Sequence, residues 1–146
     1  MKRNCAAWPA CSALLLLVTG LAAHAATEIK GAPILAHPCG KIGVKQMGLL
    51  NQGKMDEAQA LATPETRAKW EQMPAADRTM MTSLSKAVSP TEAEFAADIK
   101  SHGVLTVDGS AATLTVVKKT ADASGSSTST MTMRFKTEGG GCLVHR

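Results

Sequence analysis

Apolar residues recur at helical spacing through the first two thirds of the chain and at every second position in the last third. The helical spacing predicts a helix over 38–50. Pro38 suits its first position, Cys39, Ile42, Gly43, Gln46, Met47 and Leu50 share one stripe, and Asn51-Gln52-Gly53 stops it. A second helix is predicted over 55–62, with Met55, Ala58, Leu61 and Ala62 inward. Thr63 caps a third that opens on Pro64, carries Trp70 and ends near 73–74. A fourth, over 77–88, should turn Met80 or Met81, Leu84 and Val88 to the core. Ser89-Pro90-Thr91-Glu92 reads as a capping box, with proline at the first position and Glu92 reaching back to Ser89. The fifth helix it opens carries Phe95, Ala96 and Ile99 inward and stops at Gly103.

Strands follow. A short one is predicted over 104–107, and Asp108-Gly109 signals a hairpin turn. Along 112–119, Ala112, Leu114 and Val116 alternate with Thr113, Thr115 and Val117. After a turn over 121–125, Met131, Met133 and Phe135 alternate with Thr130, Thr132, Arg134 and Lys136 along 127–137. Glycines 139–141 turn the chain into a last strand over 142–146. Residues 26–36, with Gly31 and Pro33, read as an extended lead-in. Helices first and an antiparallel meander afterwards define an α+β class. The expected architecture is N-terminal helices packed on a C-terminal curved sheet of about four strands, all within one domain over 37–146.

Residues 1–25 have the pattern of a secretory signal peptide. Lys2 and Arg3 are followed by an apolar core over 13–21 and by Ala23-His24-Ala25, a small–x–small cleavage signal. The apolar core is shorter than the roughly 20 residues that a membrane span requires. No cysteine directly follows it, as lipidation would need. Cleavage removes Cys5 and Cys11 and leaves Cys39 and Cys142. Two cysteines in an oxidising compartment, with no C-x-x-C spacing, point to a structural disulfide in a periplasmic or secreted protein with no membrane span after processing.

Composition removes other classes. The formal charge of +4 includes Lys2 and Arg3, and the remaining charges are interspersed. There is no tyrosine, and beyond the leader Trp70, Phe95 and Phe135 are the aromatics. Nucleic-acid binding, which uses clustered cations and stacking aromatics, is not expected. No Walker or dinucleotide glycine pattern and no nucleophile-elbow serine is present, so no cofactor is implied.

The order of elements resembles the nuclear-transport-factor-2-like, or SnoaL-like, cone domains of exported bacterial proteins. Leu49-Leu50-Asn51-Gln52-Gly53-Lys54-Met55-Asp56-Glu57-Ala58 is similar to their helix–Gly–acidic helix junction. The ending over 137–146 is similar to their turn, Gly, Trp, hydrophobic, basic final strand, with Cys142 where a tryptophan is expected. The resemblance implies a cone-like sheet wrapped around helices to form a pocket. It implies no single activity, because such domains include isomerases, dehydratases, hydrolases and binding modules.

Three functions are weighed. The first is a non-enzymatic domain binding a small apolar molecule or an envelope protein, with Leu114, Val116, Met131, Met133, Phe135 and Trp70 as candidate pocket residues. The second is a cone-fold isomerase- or hydrolase-like enzyme. Against it, the tyrosine donor is missing, Asp108 and Glu138 sit in or beside turns, and His37, His102 and His145 stand at element ends. Asp98, next to the inward Ile99, is the acid that a small rotation would aim at the sheet. The third is a copper binder. Met131 and Met133 place two thioethers about 7 Å apart on one strand face, and His145 lies on a neighbouring strand. The same methionines share their face with Phe135, as core residues do.

Overall fold

The change of period becomes two layers. The computed structural model describes residues 25–122 and 125–146, so the leader reading falls almost wholly outside the described residues, as does the tip of the turn over 121–125. Strand β1 (Thr27–Lys30) leads through a 3-10 helix (Ala32–Ala36) into α1 (Pro38–Asn51), α2 (Met55–Ala60), α3 (Pro64–Glu71), α4 (Ala75–Val88) and α5 (Glu92–His102). Strands β2 (Gly103–Asp108), β3 (Ala111–Asp122), β4 (Gly125–Glu138) and β5 (Gly141–His145) complete an α+β fold. The sheet order is β1-β2-β3-β4-β5, antiparallel throughout.

The lead-in is extended over Thr27–Lys30, as expected, but departs from expectation in pairing with the sheet there and in coiling into a 3-10 helix over Ala32–Ala36. It supplies a fifth strand, with Thr27 opposite Val107 and Lys30 opposite Val104. Thr-Glu-Ile-Lys offers a single apolar residue, too little alternation to mark a strand, and only pairing with β2 reveals it. Its Ile29 lies opposite Leu105 and joins the core as a partly buried neighbour.

One face of the sheet is apolar from edge to edge. Leu105 pairs with Leu114, Leu114 with Met133, Ala112 with Phe135, and Phe135 with Val144. All are buried, and Met131 is half-buried, whereas Thr130, Thr132, Arg134 and Lys136 are exposed, as period two requires. Helices α1 and α5 cover this face. Gly43 brings α1 down close: a Cβ there would meet Leu114, Met133 and Phe135 at 3.5 Å each. The turn into β5 is made by Gly139 and Gly140, whose φ of +56° and +79° suit a tight hairpin.

Caps set the helix starts. The His37 ring Nδ1 accepts from the Cys39 amide (3.2 Å) and the Thr63 hydroxyl from the Thr66 amide (3.3 Å). The capping box of α5 lies two residues beyond the expected one. Thr91 is the cap and Glu94 reaches back to its amide (2.9 Å). Ser89 instead ends α4: its amide bonds the Ser85 carbonyl and its own carbonyl accepts from Asn51 (2.8 Å). Those bonds hold it out of α5, and the same spacing of a hydroxyl residue and a glutamate recurs at Thr91 and Glu94.

Helix α4 is the largest correction. Of the expected inward set, Met81 is half-buried against the core, but the alternative Met80, together with Leu84 and Val88, is on the outside: the three are 62%, 55% and 70% exposed, and no residue of α4 is buried. Half-buried Arg78, Met81, Thr82 and Ser85 face the body instead. Helical period defines a stripe but not what it faces. The sheet is already covered by α1 and α5, and α4 rests chiefly on α1.

Cys39 in the first turn of α1 is bonded to Cys142 at the start of β5, with a Cα–Cα distance of 5.0 Å, confirming the expected disulfide. The outer edge of β5 is closed by the segment before α3. The Thr63 amide bonds the Val144 carbonyl (2.8 Å) and the Val144 amide the Leu61 carbonyl (3.0 Å). Among the described residues, no helix is long and apolar enough to cross a membrane.

Candidate functional site

Unequal strand lengths create the site. β4 spans 14 residues and β5 five, so their pairing runs only from Glu138–Gly141 to Arg134–His145. Beyond Arg134, β4 continues with β3 on one side and, among the described residues, no strand on the other. A cleft of about 570 Å³ opens there, between this stretch, α1 and the C-terminal end of α4. That is within the range of small-ligand sites.

The walls are built from four directions. Met47 and Leu50 come from the stripe of α1, Val88 from the end of α4, Val144 from β5, and Met131 and Met133 from β4. All four consecutive residues from Met131 to Arg134 line the cleft. Neighbouring side chains on a strand point to opposite faces, so such a wall is the edge of the strand itself. Gln46, 1% exposed, also lines the cleft, and its Oε1 has no hydrogen-bond partner. A buried acceptor without a donor costs about 1–3 kcal/mol.

Arg134 and Arg146 line the cleft beside His145, and among the described residues no acidic side chain does. The ion pairs among the described residues are Lys30–Glu28, Lys54–Glu57, Lys69–Glu65 and Lys118–Asp98, none of which involves Arg134 or Arg146. The main chain of Arg146 is held by Thr66, whose hydroxyl accepts from the Arg146 amide (3.0 Å).

Of the candidate pocket residues, the cleft brings together Met131 and Met133. Leu114, Val116 and Phe135 are buried in the core and do not line it. Trp70 lies apart, its Nε1 donating to Asp56 Oδ1 (2.9 Å). It lines a smaller hollow of about 180 Å³ with Met55, Gln59, Met73 and Met81. His145 pairs with Arg134 and so shares the outer face, opposite Met131 and Met133, and its Nδ1 lies 3.5 Å from the Thr63 hydroxyl. Asp98 does not line the cleft and is paired with Lys118 at 3.2 Å.

His37, Cys39 and Cys142 offer ligand atoms within 4.8 Å of one another. Both sulfurs are consumed in the disulfide, so neither is a thiolate able to hold a metal. Sequence reasoning missed Gln46 as a site residue, although its place on an apolar stripe was a signal. It also missed the edge of β4, because strand lengths on the two sides are not encoded locally.

Comparison with protein-family models, with curated proteins and with solved structures finds no match to this chain. The fold and the cleft are therefore the basis for assigning a function.

Proposed function

We propose that this is an exported, non-enzymatic binding domain that accepts an apolar ligand in the cleft between α1, α4 and the β4 edge. The observation that carries the reading is the buried, unpartnered Oε1 of Gln46 behind the apolar part of the wall that Met47, Leu50 and Met133 form. A turn of the Gln46 amide toward the cleft would let a bound molecule with one donor group satisfy it while covering Met47, Leu50 and Met133. Export is supported by the signal-like pattern of 1–25 and by the disulfide, which is compatible with an oxidising compartment. The order of elements supports kinship with the cone domains, whose sheets wrap a ligand pocket.

The enzyme reading has less support. Proton transfer needs an acid or base within hydrogen-bond reach of a bound substrate. The cleft offers one imidazole, His145, and no acidic side chain among the described residues to work with it.

The test is NMR titration of the protein with anilinonaphthalene sulfonate, a fluorescent probe with apolar rings and one anionic sulfonate. The methyl groups of Met131 and Met133 and the side-chain amide of Gln46 should shift together and saturate. Shifts confined to the exposed stripe of α4, or none at all, would refute the reading. Intact mass of the exported fraction checks processing after Ala25. A retained leader or a lipid-modified mass would contradict export as a free protein.

A further inference from the structure

Resting on the reading of the cleft as a binding site, we infer that its occupant is an extended apolar peptide, which adds as a strand to the open edge of β4 in line with β5 and turns a carboxylate toward Arg134 and Arg146.

Three independent features converge on a peptide. The first is the backbone. Past Arg134, β4 has β3 on one side only among the described residues, and the run from Met131 to Arg134 forms a wall of the cleft edge-on. An unpaired strand edge presents a row of N–H and C=O groups, which an extended chain satisfies and a featureless apolar molecule does not. Proteins commonly protect such edges with lysine, proline or a bulge. Here the stretch 125–133, Gly-Ser-Ser-Thr-Ser-Thr-Met-Thr-Met, contains no charge and no proline.

The second feature is the side-chain pocket. A strand laid beside Met131 and Met133 turns every second side chain inward. Those side chains would enter the space bounded by Met47, Leu50 and Val88. Gln46, on the same inner wall, presents an acceptor with no donor. The third is charge. Arg134 and Arg146 line the cleft without an acidic partner among the described residues, and no acidic side chain opposes them. A peptide carboxylate complements that end.

The experiment uses the full chain with three probes: a short synthetic peptide of alternating valine and serine with a free carboxylate, the same peptide N-methylated at alternate residues, and anilinonaphthalene sulfonate. The unmodified peptide should bind and slow amide exchange along 130–133. N-methylation removes donors but keeps the side chains, and should weaken binding by about tenfold or more. Amidation of the carboxylate should weaken it as well. Gln46→Leu, with an unchanged sheet amide spectrum, should bind the peptide several-fold more weakly. Equal binding of the N-methylated peptide overturns strand addition. Binding of the sulfonate probe but not of the peptide also overturns it while leaving the cleft a ligand site. If neither binds, both readings fall. Protection of 130–133 in a dimer without peptide would assign the edge to a second copy and overturn the inference.

Discussion

Gln46 lies where the physics of folding and that of binding pull in opposite directions. On the stripe of α1 it holds a position that Leu or Met would fill without an orphaned acceptor. Gln46→Leu should therefore stabilise the free protein by about 1 kcal/mol, read as a higher denaturant midpoint at unchanged slope. A loss of stability would show that the amide is satisfied in solution. The neighbouring methionines were legible from alternation alone, because period two places Met131 and Met133 on the buried face with Phe135. Which of that set borders open space was not legible. Gly43 lets α1 settle onto Leu114 and Phe135, whereas the end of β5 leaves Met131 uncovered. Both causes lie far from those residues in sequence.

At the scale of elements, helix existence and strand alternation were written locally, and partnership was not. Helices α1, α2, α3 and α5 fall within a few residues of their predicted bounds. The apolar stripe of α4 was read correctly as a stripe and wrongly as a core face, because its outcome depends on α1 and α5 having already covered the sheet. The capping box shifted for a similar reason: two overlapping signals existed, and a contact from Asn51 chose between them. The choice can be measured. Thr91→Ala should cost about 1 kcal/mol, and Ser89→Ala about 0.5 kcal/mol or less. The reverse order would return the cap to Ser89. Hydrogen bonds from the Thr91 amide and hydroxyl hold the Glu94 carboxyl below its ordinary value of 4.5. A lowered folded value means that the contribution of Glu94 is complete above the ordinary carboxyl range and fades as pH falls through the folded value. The stability difference between the protein and Glu94→Gln should accordingly shrink in acid. A difference that grew as pH fell would contradict the box.

At the scale of the whole molecule, one bond joins the first turn of α1 to the start of β5, across a separation of 103 residues. Its existence was legible from compartment and cysteine number; its geometry depended on the whole fold bringing Cys39 and Cys142 to 5.0 Å. In the chain-entropy account, a loop of that length is worth about 4–5 kcal/mol. Replacing both cysteines by serine should lower stability by an amount of that order, measured by denaturant unfolding. A change below about 1 kcal/mol would mean that the unfolded chain is already compact. The same bond also changes what a cut means. Nearly all of the described chain lies inside a covalent ring, and among the described residues β1, the 3-10 helix and the last few residues lie outside it as tails. The outer halves of β3 and β4 project from that ring as a ribbon without β2 or β5 beside them, an accessible place for a protease. A nick there opens the ring but frees no fragment. The clipped protein would keep its mass, apart from one added water, until a reductant divides it in two.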